Sequence, residues 1–171
     1  MRTATLSLLL IVFAIPAAAQ NVIPPPPRPT VANLSGPRFG ITMLPDGVVS
    51  KFLERNIELR PTISQFGWQF EKQFYAKDSG VAVLNEWIVL LGGLDQGVAL
   101  PSLSWMVGMR TANGTEFGVG PNVSASGVAL AIAAGTTLRA GFLNVPVNIA
   151  VVPSKSGMRI SFLTGFSVRK S

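Results

Sequence analysis

Residues 62–74 read TISQFGWQFEKQF, so that Phe66, Trp68, Phe70 and Phe74 alternate with Gln65, Gly67, Gln69, Glu71 and Gln73. Successive side chains of a β-strand point to opposite faces, and this order predicts a strand with one aromatic and one polar face. The alternation recurs in Leu103, Trp105, Val107 and Met109 against Ser102, Ser104, Gly108 and Arg110. It recurs again in Phe117, Val119 and Val123 against Glu116, Gly118, Gly120, Asn122 and Ser124, and in Met158, Ile160, Phe162 and Phe166 against Arg159, Ser161 and Gly165.

Extended segments are predicted at 38–44, 62–74, 80–91, 100–110, 115–125, 128–140, 145–152 and 158–166. Between most of them lie stretches with turn chemistry: 77–80, 92–97, 112–114, 126–127, 141–144 and 153–157. Parallel neighbours need crossovers of about a dozen residues or more, so short turns imply an antiparallel meander. Residues 48–57 break the rhythm. There Val48, Val49, Phe52, Leu53 and Ile57 recur at helical spacing, and a short amphipathic helix packed on one end of the sheet is expected. The fold class is therefore all-β, an antiparallel meander closing into a small barrel of eight strands with one short helix, or a sandwich of the same strands.

At the N-terminus, Arg2 precedes an apolar run from Leu6 to Ile15 and the small residues Ala17, Ala18 and Ala19. The run is too short to cross a bilayer as a helix, and its flanks predict a signal peptide over 1–19. A Pro-rich linker, 20–37, should follow, with residues 23–29 as a polyproline II spacer. The β domain is expected over 38–171.

Composition narrows the chemistry. The chain has no Cys and no His, which removes disulfide frameworks, thiolate nucleophiles, Ser-His-Asp triads and imidazole metal ligands. An exported domain without disulfides fits a bacterial periplasm or outer membrane better than an animal extracellular space. Charged residues are 13% of the chain and mean hydropathy is +0.43, apolar for a soluble domain. The net charge of +6 is dispersed rather than gathered into a stripe, so nucleic acid is not an expected partner.

Which face meets which solvent is the open question. A soluble barrel or sandwich points its apolar set inward, whereas a transmembrane barrel points it at lipid. The second face is rich in Gly, Ala, Ser and Asn and poor in Lys, which suits a crowded barrel interior. Against this, 80–91 is apolar on both faces apart from Asn85 and Glu86, and 128–134 holds no polar residue, as in strands buried from both sides.

With the apolar set outside, Glu71, Glu86 and Glu116 share the interior with Arg110, Arg139 and Arg159, where ion pairs offset desolvation. Arg110 and Glu116 can lie opposite each other only across an odd-length loop. That predicts Ala112, Asn113 and Gly114 as a three-residue hairpin loop with Gly114 left-handed. The same glutamates are the central-strand candidates for a glycosidase-type acid–base pair, and structural pairing with Arg is the preferred reading. Residues 118–122, GVGPN, lack the Lys-Ser/Thr end of a phosphate loop. No catalytic, cofactor-binding or metal-ligating residue is expected.

With these features the chain resembles small bacterial outer-membrane β-barrel proteins over residues 38–168. Residues 155–162, KSGMRISF, also look like the polar-x-Gly-x-x-hydrophobic-x-hydrophobic signal that barrel-assembly machinery reads on a final strand. The resemblance implies a cell outer-membrane address, lipid and that machinery as partners, and a non-enzymatic structural or adhesive role. The alternative is a soluble periplasmic or secreted barrel or sandwich that binds an apolar ligand among Phe66, Trp68, Phe70, Trp87 and Trp105.

Overall fold

The computed structural model describes residues 32–76 and 80–168, so the expected signal peptide and the Pro-rich run at 23–29 lie outside the described residues. Eight antiparallel strands form a closed barrel: β1 Gly36–Met43, β2 Thr62–Ala76, β3 Val81–Gly92, β4 Leu100–Thr111, β5 Glu116–Ser124, β6 Gly127–Ala140, β7 Leu143–Ser154 and β8 Gly157–Gly165. Each pairs with its successor, and β1 closes the ring against β8. A two-residue strand, β9 Ser167–Val168, continues along β7 in the register of β8 after Phe166.

The interior glycines let the wall curve tightly. A Cβ on Gly120 would stand 1.9 Å from the Trp105 carbonyl oxygen, and one on Gly67 would stand 1.9 Å from that of Val89. Both are backbone contacts that no rotamer relieves. Gly120→Ala is expected to cost about 1–3 kcal/mol in urea unfolding, as overpacking does elsewhere; an unchanged midpoint would show that the wall relaxes there.

The hairpin between β4 and β5 has the predicted form. Arg110 lies opposite Glu116, the Thr111 N–H bonds the Thr115 carbonyl at 2.9 Å, and Gly114 has φ 90°. Only glycine holds that conformation without strain.

Two mouths result. One, the terminal mouth, carries the β4–β5 and β6–β7 hairpin turns, the end of β2 and the start of β3, together with residues 32–35 and β9. The other carries the long connections, 44–61 and 93–99, and is covered by α1 Asp46–Leu53. Val48 and Phe52 of α1 pack with Leu44, Leu59 and Ile63 as an apolar stopper, flanked by Val49, Ile57, Val98, Leu100 and Ala125. The helix stops at Leu53 although the apolar spacing reaches Ile57, because Asn56 turns left-handed (φ 58°). The Asn56 N–H then bonds the Leu53 carbonyl and the Ile57 N–H bonds the Phe52 carbonyl, each at 2.9 Å. This is a Schellman closure, with Ile57 and Phe52 in the same apolar cluster. Beside α1, the Ser64 hydroxyl and N–H bond Asp95 at 2.6 and 3.1 Å, pin the 93–97 turn to β2 and hold the Asp95 carboxyl below its ordinary range.

Candidate functional site

The lumen holds the chemistry. Alternation places Arg38 and Thr42 of β1, Gln69 and Glu71 of β2, Glu86 of β3, Arg110 of β4, Glu116 and Asn122 of β5 inside, all buried. The outer wall carries Phe39, Phe66, Trp68, Phe70, Trp87, Trp105, Val107, Phe117, Ile132, Ile149 and Phe162, all at least 40% exposed. The two apolar-faced strands resolve within this scheme. Ala82, Leu84, Ile88 and Leu90 of β3 face in, as do Ala129, Ala131 and Ala133 of β6, so part of the lumen is lined by small or aliphatic groups.

Arg110 is the hub near the terminal mouth. Glu71 and Glu86 sit directly opposite each other on β2 and β3, a repulsive pairing that a shared cation relieves. The guanidinium supplies it. Its Nε donates to Glu116 at 2.7 Å, one terminal nitrogen donates to Glu71 at 2.7 Å and to the Ala32 carbonyl at 2.8 Å, and the other donates to Glu71 at 2.7 Å and Glu86 at 3.3 Å. All five N–H donors of the fork are thereby used. The three carboxylate side chains are 0, 9 and 7% exposed. The expected acid–base candidates therefore do come together, but as a closed ion cluster in the wall.

The network spreads further. The Gln69 amide donates to Glu86 at 2.7 Å and accepts from Arg38 Nε at 3.0 Å, and the Asn148 amide donates to Glu116. Six strands and the segment preceding β1 are thereby tied together. Residues 32–35 fill the terminal mouth. Leu34 is fully buried, Asn33 and Ser35 bond the backbone of Glu71, and Arg38 donates to the Leu34 carbonyl.

Of the other expected interior arginines, Arg139 needs correction. It sits at the end of β6, exposed, and donates to the Ala112 carbonyl at 2.9 Å rather than to an acid. Strand parity is right, but the position lies beyond the point where the wall encloses side chains. Arg159 faces inward but meets only neutral groups, Ser124 Oγ and Asn122 Oδ1, both at 2.8 Å. Arg38 was not among the expected interior charges. Its signal was available: it precedes the outward series Phe39, Ile41 and Met43, so parity puts it inside.

Between the ion cluster and α1 lies a cavity of about 60 Å³, lined by Arg38, Thr42, Gln65, Gln69, Ser102, Ser104, Asn122, Asn148, Arg159 and Ser161 on its polar side and by Ile88, Met106, Ala131 and Val152 on its apolar side. Drug-sized ligands need pockets of roughly 300–1,000 Å³. Among the described residues, no group of three or more acidic, His or Cys side chains is disposed to hold a metal ion. Comparison with protein-family models, with curated proteins and with solved structures finds no match for the chain.

Proposed function

We propose that this chain is a small outer-membrane β-barrel that anchors or adheres, with a filled lumen in place of a conduit and no catalytic role. The observation that carries this reading is the inversion of the two faces. Arg38, Gln69, Glu71, Glu86, Arg110, Glu116 and Asn122 are buried, while aromatic and branched aliphatic side chains stand exposed on every strand from β1 to β8. Water penalises such a belt, and lipid favours it. Among the outward strand positions described, Lys72 is the one charged side chain, and it lies toward the terminal mouth, where a long stem can reach the interface.

A closed barrel also leaves no backbone edge unpaired in hydrocarbon. No helix among the described residues is long and apolar enough to cross a membrane, so the reading rests on the strands. In this reading the mouth that carries residues 32–35 and β9 faces the periplasm and α1 faces outward, following the usual asymmetry of turns and loops. The stoppered mouths support anchoring over conduction. The five aromatics considered for an apolar ligand, Phe66, Trp68, Phe70, Trp87 and Trp105, stand exposed on the outer wall, with Trp87 stacked on Trp105 at 5.8 Å.

Membrane fractionation joined to heat-dependent gel mobility tests the proposal. The expected outcome is recovery with outer membranes and a band that migrates faster before boiling than after. Recovery in the soluble periplasmic fraction, with no such shift, would overturn it.

A further inference from the structure

We infer that the lumen binds one small monovalent anion, of halide, nitrate or formate size, against Arg159 and the hydroxyls of Ser102 and Ser104. The charge layout points there first. Glu71, Glu86 and Glu116 are gathered on Arg110, and Arg38 reaches Glu86 through Gln69. Arg159 is placed elsewhere. Along the ladder, Glu116 lies opposite Gly135, Gly135 opposite Asn148 and Asn148 opposite Leu163. Arg159 is four residues further toward α1, about 13 Å at strand rise. Among the described residues it has no carboxylate within ion-pair distance, and a half-buried guanidinium bonded only to neutral hydroxyl and amide groups is a place where a counter-charge is favoured.

Counting donors gives the same answer. Arg159 Nε is buried and has no acceptor among the described residues. Asn122 spends both amide hydrogens on Ser102 Oγ and Ser104 Oγ, at 2.8 and 2.9 Å, so each hydroxyl accepts and keeps its own hydrogen to give. Thr42 and Ser161 are satisfied, since Thr42 donates to Gln65 at 2.5 Å and Ser161 then donates to Thr42 at 2.7 Å. The Arg159 charge and the spare hydroxyl hydrogens of Ser102 and Ser104 thus border one cavity around Asn122. Water could occupy the donors but would leave the charge unmatched. A space of about 60 Å³ admits a few water-sized spheres, hence a small ion and not a sugar or an acyl chain. Thr42, Gln65, Ser102 and Arg159 also line the narrower space beneath Leu44, Val48 and Phe52, so the way in runs under α1.

The site does not depend on what surrounds the outer wall. The test is unfolding of the full chain, in whatever medium keeps it folded, in sodium chloride against sodium gluconate at equal ionic strength. Chloride is expected to raise the unfolding midpoint saturably, and gluconate, too large for the cavity, is not. Arg159→Gln should abolish the difference. Joint replacement Ser102→Ala and Ser104→Ala, which keeps the charge, should raise the half-saturating chloride concentration about tenfold. Identical midpoints in the two salts for the unmodified chain would overturn the inference, as would a saturable chloride effect that survives Arg159→Gln. Should that variant not fold, a bromide anomalous peak beside Arg159 in crystals of the unmodified chain decides for the site, and no peak at a bromide concentration that saturates the stability effect decides against it.

Discussion

Arg110→Leu is expected to destabilise the barrel by about 3–5 kcal/mol, the usual consequence of removing one partner from a buried ion cluster. Glu71 and Glu86 face each other across β2 and β3, Glu116 lies next to Arg110 on β5, and all three lose the one group that touches them together. The loss should show as a lower urea midpoint and, at moderate temperature, as failure to give the compact gel band. Arg110→Lys should fall between, because an ammonium offers three donors where the fork uses five. Adding Glu71→Gln, Glu86→Gln and Glu116→Gln to Arg110→Leu should recover most of the loss, since neutral amides can bond one another without repulsion. If Arg110→Leu alone unfolds like the unmodified chain, the cluster is not what holds β2 to β5 together.

Some of this cluster was legible in the sequence and some was not. Period-two alternation on β2, β4, β5 and β8 put Glu71, Arg110, Glu116 and Arg159 on one face, and the odd loop at Ala112, Asn113 and Gly114 set Arg110 against Glu116. Those are local facts. That Glu86 completes the cluster, that Arg159 lies too far along the lumen to join it, and that Arg139 falls outside it depend on the stagger of strands around the ring. No stretch of sequence states that stagger. The stopper at residues 32–35 was illegible for a related reason: Ala32, Asn33, Leu34 and Ser35 show no periodicity, and their meaning comes from contacts of Ala32 with Arg110, of Asn33 and Ser35 with Glu71, and of Asn33 with Ser167, distant along the chain. β9 escaped notice because it is two residues long. The small, Lys-poor second face already favoured the aromatics outside. Alternation alone is symmetric between a core and a bilayer, and the charged set found inside the closed ring decides it.

The depth dependence of a charge on that outer face separates lipid from water more sharply than its sign does. Ile132 lies mid-strand on β6, outward, between Val119 of β5 and Val151 of β7. Leu138 lies on the same face of the same strand near the terminal mouth. In a bilayer, Ile132→Arg should cost about 2–4 kcal/mol and Leu138→Arg about 0–1 kcal/mol, because a guanidinium near the rim reaches the interface while one at mid-depth drags water with it. In water both positions are open surface, and each substitution should fall within about 0.5 kcal/mol of the unmodified chain. Reversible urea unfolding from lipid vesicles reads the difference directly, and the comparison is internal: both arginines add the same charge to the same strand, with the same β propensity. A gradient between the two positions supports a lipid-facing wall. Equal and small effects would mean that the exposed aromatics of β2, β3 and β4 belong to a surface that some other partner covers.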